Sequence, residues 1–126
     1  MSVAYVDTSA LVAIAFGEVR GPDLAKRLEG FSHLVASNLL EAELRATFAR
    51  ERLAFEASLV AGVDWILPDR PLASEMATVL GAGYLRGADL WHVASALYAA
   101  GDPGLISFVT LDERQQAVAG MLGFQT

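Results

Sequence analysis

The feature that most constrains this chain is an alternation of short, apolar, β-branched runs with longer stretches of helical spacing. Val3-Ala4-Tyr5-Val6 reads as a buried strand, and Ser9 to Phe16 as a helix. Pro22 starts a second helix to about Leu28, and His33–Ala36 reads as a second strand. Ser37 or Asn38 has N-cap chemistry for a long helix from Leu39 to about Arg52. A further helix is expected over about Ala54–Ala61, then a third strand at Trp65–Leu67, closed by Pro68. Pro71 suits the first turn of a helix reaching about Leu80. Ala88–Ala100 is a strong helix, Leu105–Val109 a fourth strand and Glu113–Leu122 the last helix, with Phe124 starting a short edge strand. Such an order implies an α/β fold with a mostly parallel sheet covered on both faces. At 126 residues and 54% hydrophobic content, a single domain spanning 1–126 is the expectation.

Composition removes several classes of function. The chain has no cysteine, which excludes disulfide scaffolds, cysteine-ligated zinc, iron–sulfur clusters and cysteine nucleophiles. The longest apolar run, Ala10 to Phe16, is far short of the ~20 residues of a membrane helix. Asp7 interrupts the first apolar stretch and no basic residue precedes it, so no secretory signal is read and a cytoplasmic location is expected. A net charge of −6 argues against a DNA-coating or membrane-surface protein. It is compatible with a nucleic-acid enzyme whose acids attract divalent cations, which in turn attract phosphate.

Parallel sheets build their sites at the carboxyl ends of strands. Asp7 directly follows the first strand, and Asp112 follows the fourth after Thr110-Leu111. Each also has a structural reading as a helix N-cap. Glu43 falls on the apolar side of its helix, between Leu39, Leu40 and Thr47, where an ionised acid is costly unless paired or metal-bound. Pairing with Arg50 is its structural alternative. Glu41, by contrast, is explained by an ion pair with Arg45 one turn along. Asp89 opens the Ala88–Ala100 helix at the margin of its buried face, and N-capping is again the alternative. A cluster of these carboxylates repels itself without cations. Hard oxygen donors suit Mg²⁺ or Mn²⁺, ions that activate water and clamp phosphate. The suggested reaction is phosphodiester hydrolysis.

Four stretches together resemble PIN-domain ribonucleases: Asp7-Thr8-Ser9-Ala10-Leu11, Glu43-Leu44-Arg45, Leu85-Arg86-Gly87-Ala88-Asp89-Leu90-Trp91-His92-Val93-Ala94-Ser95-Ala96-Leu97, and Val109-Thr110-Leu111-Asp112-Glu113-Arg114. Their order, spacing and span cover nearly the whole chain, and the compact form is similar to the VapC toxin branch of toxin–antitoxin pairs. The resemblance implies a three-layer α/β/α sandwich, a homodimer, Mg²⁺- or Mn²⁺-dependent cleavage of RNA, and an inhibitory antitoxin that occupies the acidic groove. It places the catalytic, metal-binding set on Asp7, Glu43, Asp89 and Asp112, with Ser9 and Thr110 as hydroxyls that orient the carboxylates. Many relatives carry another Asp shortly after the late one, where this chain has Glu113-Arg114-Gln115.

Other residues are weighed against simpler roles. His92 invites a general-base or ligand role but reads as structural, being inside a helix near packing surfaces. His33 reads as a surface residue and Trp65 as core. Trp91 and Tyr98 share a helix face suited to packing or a dimer contact. Arg45, Arg50, Arg86 and Arg114 each lie near one of the acids, and Arg86 and Arg114 are the best candidates for RNA phosphate contacts. A receiver domain would need a late strand-end lysine, whereas the one lysine is Lys26. A haloacid-dehalogenase-type phosphatase would need an Asp at position 9, which is Ser. No Gly-rich phosphate loop or Gly-x-Ser-x-Gly elbow is present. The alternative of another class is a PIN-like binding or regulatory module without turnover.

Overall fold

Val3–Val6 forms strand β1, and its side chains sort alternately to two faces of a sheet, as the strand period requires. The structure is a computed structural model that describes residues 2–126; Met1, the first residue of the expected domain, lies outside them. β1 pairs in parallel with β2 (His33–Ser37) on one side and β4 (Ile106–Val109) on the other. β3 (Val63–Ile66) pairs in parallel outside β2, giving the order β3-β2-β1-β4. Ala4 and Val6 point into an apolar cluster built with α1 (Thr8–Ala15), α2 (Gly21–Glu29) and α3 (Leu39–Arg50). Tyr5 points the other way, into a second cluster built with α4 (Ala73–Ala82), α5 (Gly87–Ala99) and α6 (Glu113–Met121). The result is a three-layer α/β/α sandwich.

The apolar run of β1, and that of β4 apart from Ser107, follows from this double coverage, because strands buried on both faces need no polar alternation. Leu40 and Leu44 of α3 are fully buried against the first face, each worth about 1.5–3 kcal/mol of transfer free energy. Gly21 opens α2 where a Cβ would stand 2.6 Å from the carbonyl oxygen of Ala13, so only glycine lets α1 and α2 approach this closely.

The helix expected over Ala54–Ala61 is absent; only a 3₁₀ turn forms, at Ala57–Leu59. The reason lies at the end of α3. Arg52 adopts a left-handed φ of 58°, its N–H bonds the Ala49 carbonyl, and the Leu53 N–H bonds the Phe48 carbonyl. That is a Schellman closure, which reverses the chain. Phe55 is then pinned by side-chain packing, edge-on to Phe48 at 5.5 Å and beneath the Arg45 guanidinium at 4.1 Å. α4 starts at Ala73, beyond Pro71, and the third strand starts earlier than expected, at Val63. Phe124 starts no strand: it is buried against Phe108, and Gln125 makes an isolated parallel bridge to Ser107. Trp65 is half-buried at the margin of the first core, and His33 is exposed beside Asp64, at 3.7 Å. Among the described residues no helix is long and apolar enough to cross a membrane.

Candidate functional site

The strand order sets the position of the site. From β1 the chain moves to β2 on one side, while β4 returns on the other side, so the strand order reverses at the carboxyl ends of β1 and β4, where open α/β sheets place their sites. Asp7 stands on the β1 side of that point, where its N–H bonds the Val109 carbonyl at 3.0 Å. Thr110 and Asp112 stand on the other.

Asp7 and Asp112 are both helix N-caps, in keeping with their structural reading. Asp7 Oδ2 accepts from the Ser9 N–H at 3.3 Å, and Asp112 Oδ1 accepts from the Gln115 N–H at 2.8 Å. Capping and a site role are compatible, because a carboxylate has two oxygens and each cap uses one. Asp7 is almost fully buried, and its Oδ2 also accepts from the Ser9 hydroxyl at 2.7 Å and the Thr110 hydroxyl at 2.9 Å. Ser9 and Thr110 therefore sit where hydroxyls orienting a carboxylate are expected. Ser9 Oγ in turn accepts the Leu111 N–H at 3.0 Å, so the hydroxyl is itself held.

Glu43 has no contact with Arg50, which lies 3.6 Å from Glu51 instead. Its Oε1 accepts from Thr8 Oγ1 at 2.8 Å and meets His92 Nε2 at 2.7 Å. The His92 bond, aided by the Thr8 bond, outweighs the opposing effect of burial and holds the Glu43 carboxyl below its ordinary value. Asp89 is not an N-cap: Arg86 occupies that position without a side-chain bond, and Asp89 lies within the first turn of α5. Burial pushes the Asp89 carboxyl up, and the negative charges of Asp112, Asp7 and Glu43 push it further the same way. The four acids thus share one electrostatic neighbourhood.

His92 is buried in the core, in keeping with its structural reading, and its contacts also reach two of the acids. It touches Glu43 and stands 3.6 Å from Asp7 Oδ1. Its position three residues after Asp89 was the available signal. Its Nδ1 meets the Tyr5 hydroxyl at 2.7 Å, whose ionisation burial disfavours strongly. Gln115, fully buried, carried no signal at all. Its Oε1 lies 2.9 Å from the Thr110 hydroxyl and its Nε2 donates to the Asp89 carbonyl at 3.3 Å, so it ties α6 to α5 across the site.

Arg45 is paired with Glu41 at 2.8 Å and Arg50 with Glu51, whereas Arg86 and Arg114 are exposed and make no ion pair among the described residues. Trp91 serves internal packing, its Nε1 donating to Ser37 Oγ at 3.0 Å, and the Tyr98 hydroxyl donates to Asp69 at 3.0 Å.

Among the described residues, no three His, Asp or Glu side chains already converge in a geometry that holds a metal ion. The donor chemistry nevertheless fits a hard divalent cation. Asp7 and Glu43 each have one oxygen fixed by protein donors, Asp112 has one held by its cap, and the like charge that raises Asp89 is what a cation reverses.

No curated protein and no solved structure gives a significant match to the chain. The family model of the PIN domain matches residues 4–121, a span that contains all four acids and every strand but the first residue of β1. The chain therefore belongs to the PIN domain family, whose members are generally metal-dependent nucleases.

Proposed function

We propose that this protein is a Mg²⁺- or Mn²⁺-dependent ribonuclease that hydrolyses RNA phosphodiester bonds, and that it acts as the toxin of a VapC-like toxin–antitoxin pair. The observation that carries the ribonuclease reading is that Asp7 and Glu43 meet at one buried histidine, with Asp7 Oδ1 3.6 Å and Glu43 Oε1 2.7 Å from His92 Nε2, and the raised Asp89 carboxyl agrees with it. Asp7, Glu43, Asp89 and Asp112 are the residues that would hold the cation. When bound, it supplies charge neutralisation, phosphate binding and water activation.

The chain's own residues do the remaining work. Ser9 and Thr110 fix Oδ2 of Asp7 and leave Oδ1 for ligation; Thr8 and His92 fix Oε1 of Glu43 and leave Oε2. Arg86 and Arg114, exposed near Asp89 and Asp112, bind the flanking phosphates of the RNA. In the hydrolysis a water oxygen bonds to phosphorus while the bond to the leaving sugar oxygen breaks. The water gives up a proton and the leaving oxygen takes one.

The toxin reading rests on the likeness of the chain's motifs to the VapC branch. It carries with it a homodimer, a cytoplasmic setting and an antitoxin partner. An acidic site suits inhibition by a basic side chain, since a cationic group takes the place of metal charge.

The deciding experiment is cleavage of labelled total RNA by the purified protein with Mg²⁺, with Mn²⁺ and with EDTA, beside Asp89→Asn. Cleavage that needs metal and disappears in the variant supports the nuclease. A folded, metal-loaded protein that cuts no RNA moves the assignment to a binding module.

A further inference from the structure

A chain of hydrogen bonds runs from the end of β2 to the carboxylate of Glu43. The Tyr5 hydroxyl accepts the Ser37 N–H at 3.1 Å. Its own hydrogen has one acceptor among the described residues, His92 Nδ1 at 2.7 Å. Tyr5 and His92 are both essentially inaccessible to water, at 0% and 1% exposure, so no solvent competes for these bonds. If Nδ1 accepts, the ring proton of a neutral imidazole sits on Nε2. Nε2–H then donates to Glu43 Oε1 at 2.7 Å, with Thr8 Oγ1 at 3.2 Å. The opposite tautomer would aim a lone pair at a carboxylate oxygen.

Glu43 needs such a constraint. Its side chain is 34% exposed, and an exposed glutamate has several rotamers of similar energy. Ser37 also ties this network to the helix that carries Glu43, since Ser37 Oγ accepts both the Leu39 N–H at 3.1 Å and the Trp91 Nε1–H. The packing of Tyr5 is itself rigid: its ring stacks on Phe108 with centroids 5.1 Å apart and meets the His92 ring edge-on.

We propose that Tyr5 is a positioning residue of the metal site: its hydroxyl holds His92 as the Nε2–H tautomer, and that N–H holds Oε1 of Glu43, leaving Oε2 as the ligand oxygen. The role rests on the metal-dependent reading above. A histidine oriented by a second group and orienting a carboxylate in turn is the outer-shell arrangement that tunes metal ligands.

Two readouts test it on the full chain. Long-range ¹H–¹⁵N NMR of the metal-free protein reports the tautomer of His92, and Mn²⁺ titration followed by the signal of the free ion reports affinity. The expected results are an Nε2–H tautomer in the wild type and binding about tenfold weaker in Tyr5→Phe, which keeps the ring and its stacking. His92→Gln, whose amide keeps N–H donors and an acceptor, binds Mn²⁺ more tightly than His92→Leu. Circular dichroism shows whether each variant is folded, and Tyr5→Phe decides the matter if the His92 variants are not. An Nδ1–H tautomer in a protein that binds Mn²⁺, or wild-type affinity in Tyr5→Phe, overturns the relay alone. A wild-type protein that binds no Mn²⁺ overturns the metal reading and the positioning role with it.

Discussion

Thr110 Oγ1 lies 2.9 Å from Asp7 Oδ2, joining the carboxyl ends of two neighbouring strands across 103 residues of sequence. The same hydroxyl accepts the Asp112 N–H at 3.0 Å and lies 2.9 Å from Gln115 Oε1. One side chain therefore fixes Asp7 and the loop that carries Asp112. Thr110→Val keeps the shape and removes the hydroxyl, stranding the Asp112 N–H that it accepts. A loss of about 1–3 kcal/mol is expected in denaturant unfolding. Metal-dependent RNA cleavage should fall at least tenfold, because Asp7 loses a donor that orients it.

Asp89→Asn should stabilise the metal-free protein while abolishing cleavage. In the fold Asp89 is raised by burial and by three carboxylates, so its ionised form costs stability. The sign follows from linkage: the folded state binds the proton more tightly than the unfolded state, so this cost is fully present above the folded value. It disappears as pH falls below the ordinary carboxylate value. Melting curves in EDTA should show the Asp89→Asn variant melting higher than the wild type at neutral pH, with the gap closing toward acid. Equal melting temperatures at neutral pH would show that Asp89 feels no such repulsion.

Mg²⁺ or Mn²⁺ should raise the melting temperature of the wild type. A ligand at a hundredfold over its Kd stabilises by about 2.7 kcal/mol, a shift of several degrees for a chain this size. Asp7→Asn, which removes a buried charge from the proposed metal site, should lose most of that shift. Calcium, with its preference for larger and more flexible oxygen cages, serves as the contrast ion.

Arg86→Ala should weaken RNA binding and leave metal affinity intact. Arg86 is exposed and caps α5 with no side-chain bond, so little of the fold depends on it. Loss of one phosphate contact lowers the slope of log affinity against log salt by about 0.7 for single-stranded RNA. An RNA affinity unchanged from the wild type at every salt concentration would remove Arg86 from the substrate path.

Arg52→Gly should stabilise the protein by about 0.5–1 kcal/mol, read as a shift in the denaturation midpoint. Arg52 holds the left-handed position of the Schellman closure after α3, at φ 58°, where glycine carries no Cβ penalty. The greater backbone freedom of glycine when unfolded offsets part of the gain.

The sequence by itself determined the layers and the order of the elements. Runs such as Val3–Val6 and Ile106–Val109, apolar throughout or nearly so, report strands buried on both faces, and the helical stretches between them leave only a parallel sheet as the solution. The same logic put Asp7 and Asp112 on one edge of the sheet, and the cost of an acid on an apolar helix face singled out Glu43. These are local properties, set by period and burial. What tertiary structure decided is which groups meet. Asp7 and Asp112 could cap helices and come together at once only because β1 and β4 are neighbours in the sheet, so both caps fall at the same edge. Ala54–Ala61 has the composition of a helix, but Phe55 packing on Phe48 and the reversal at Arg52 prevail over that preference. His92 looked like an ordinary core histidine because its partners, Tyr5 and Glu43, lie 87 and 49 residues away. A hydrogen bond between distant segments leaves no periodic trace in either of them, so it becomes visible only when the sheet and its two helical layers are assembled.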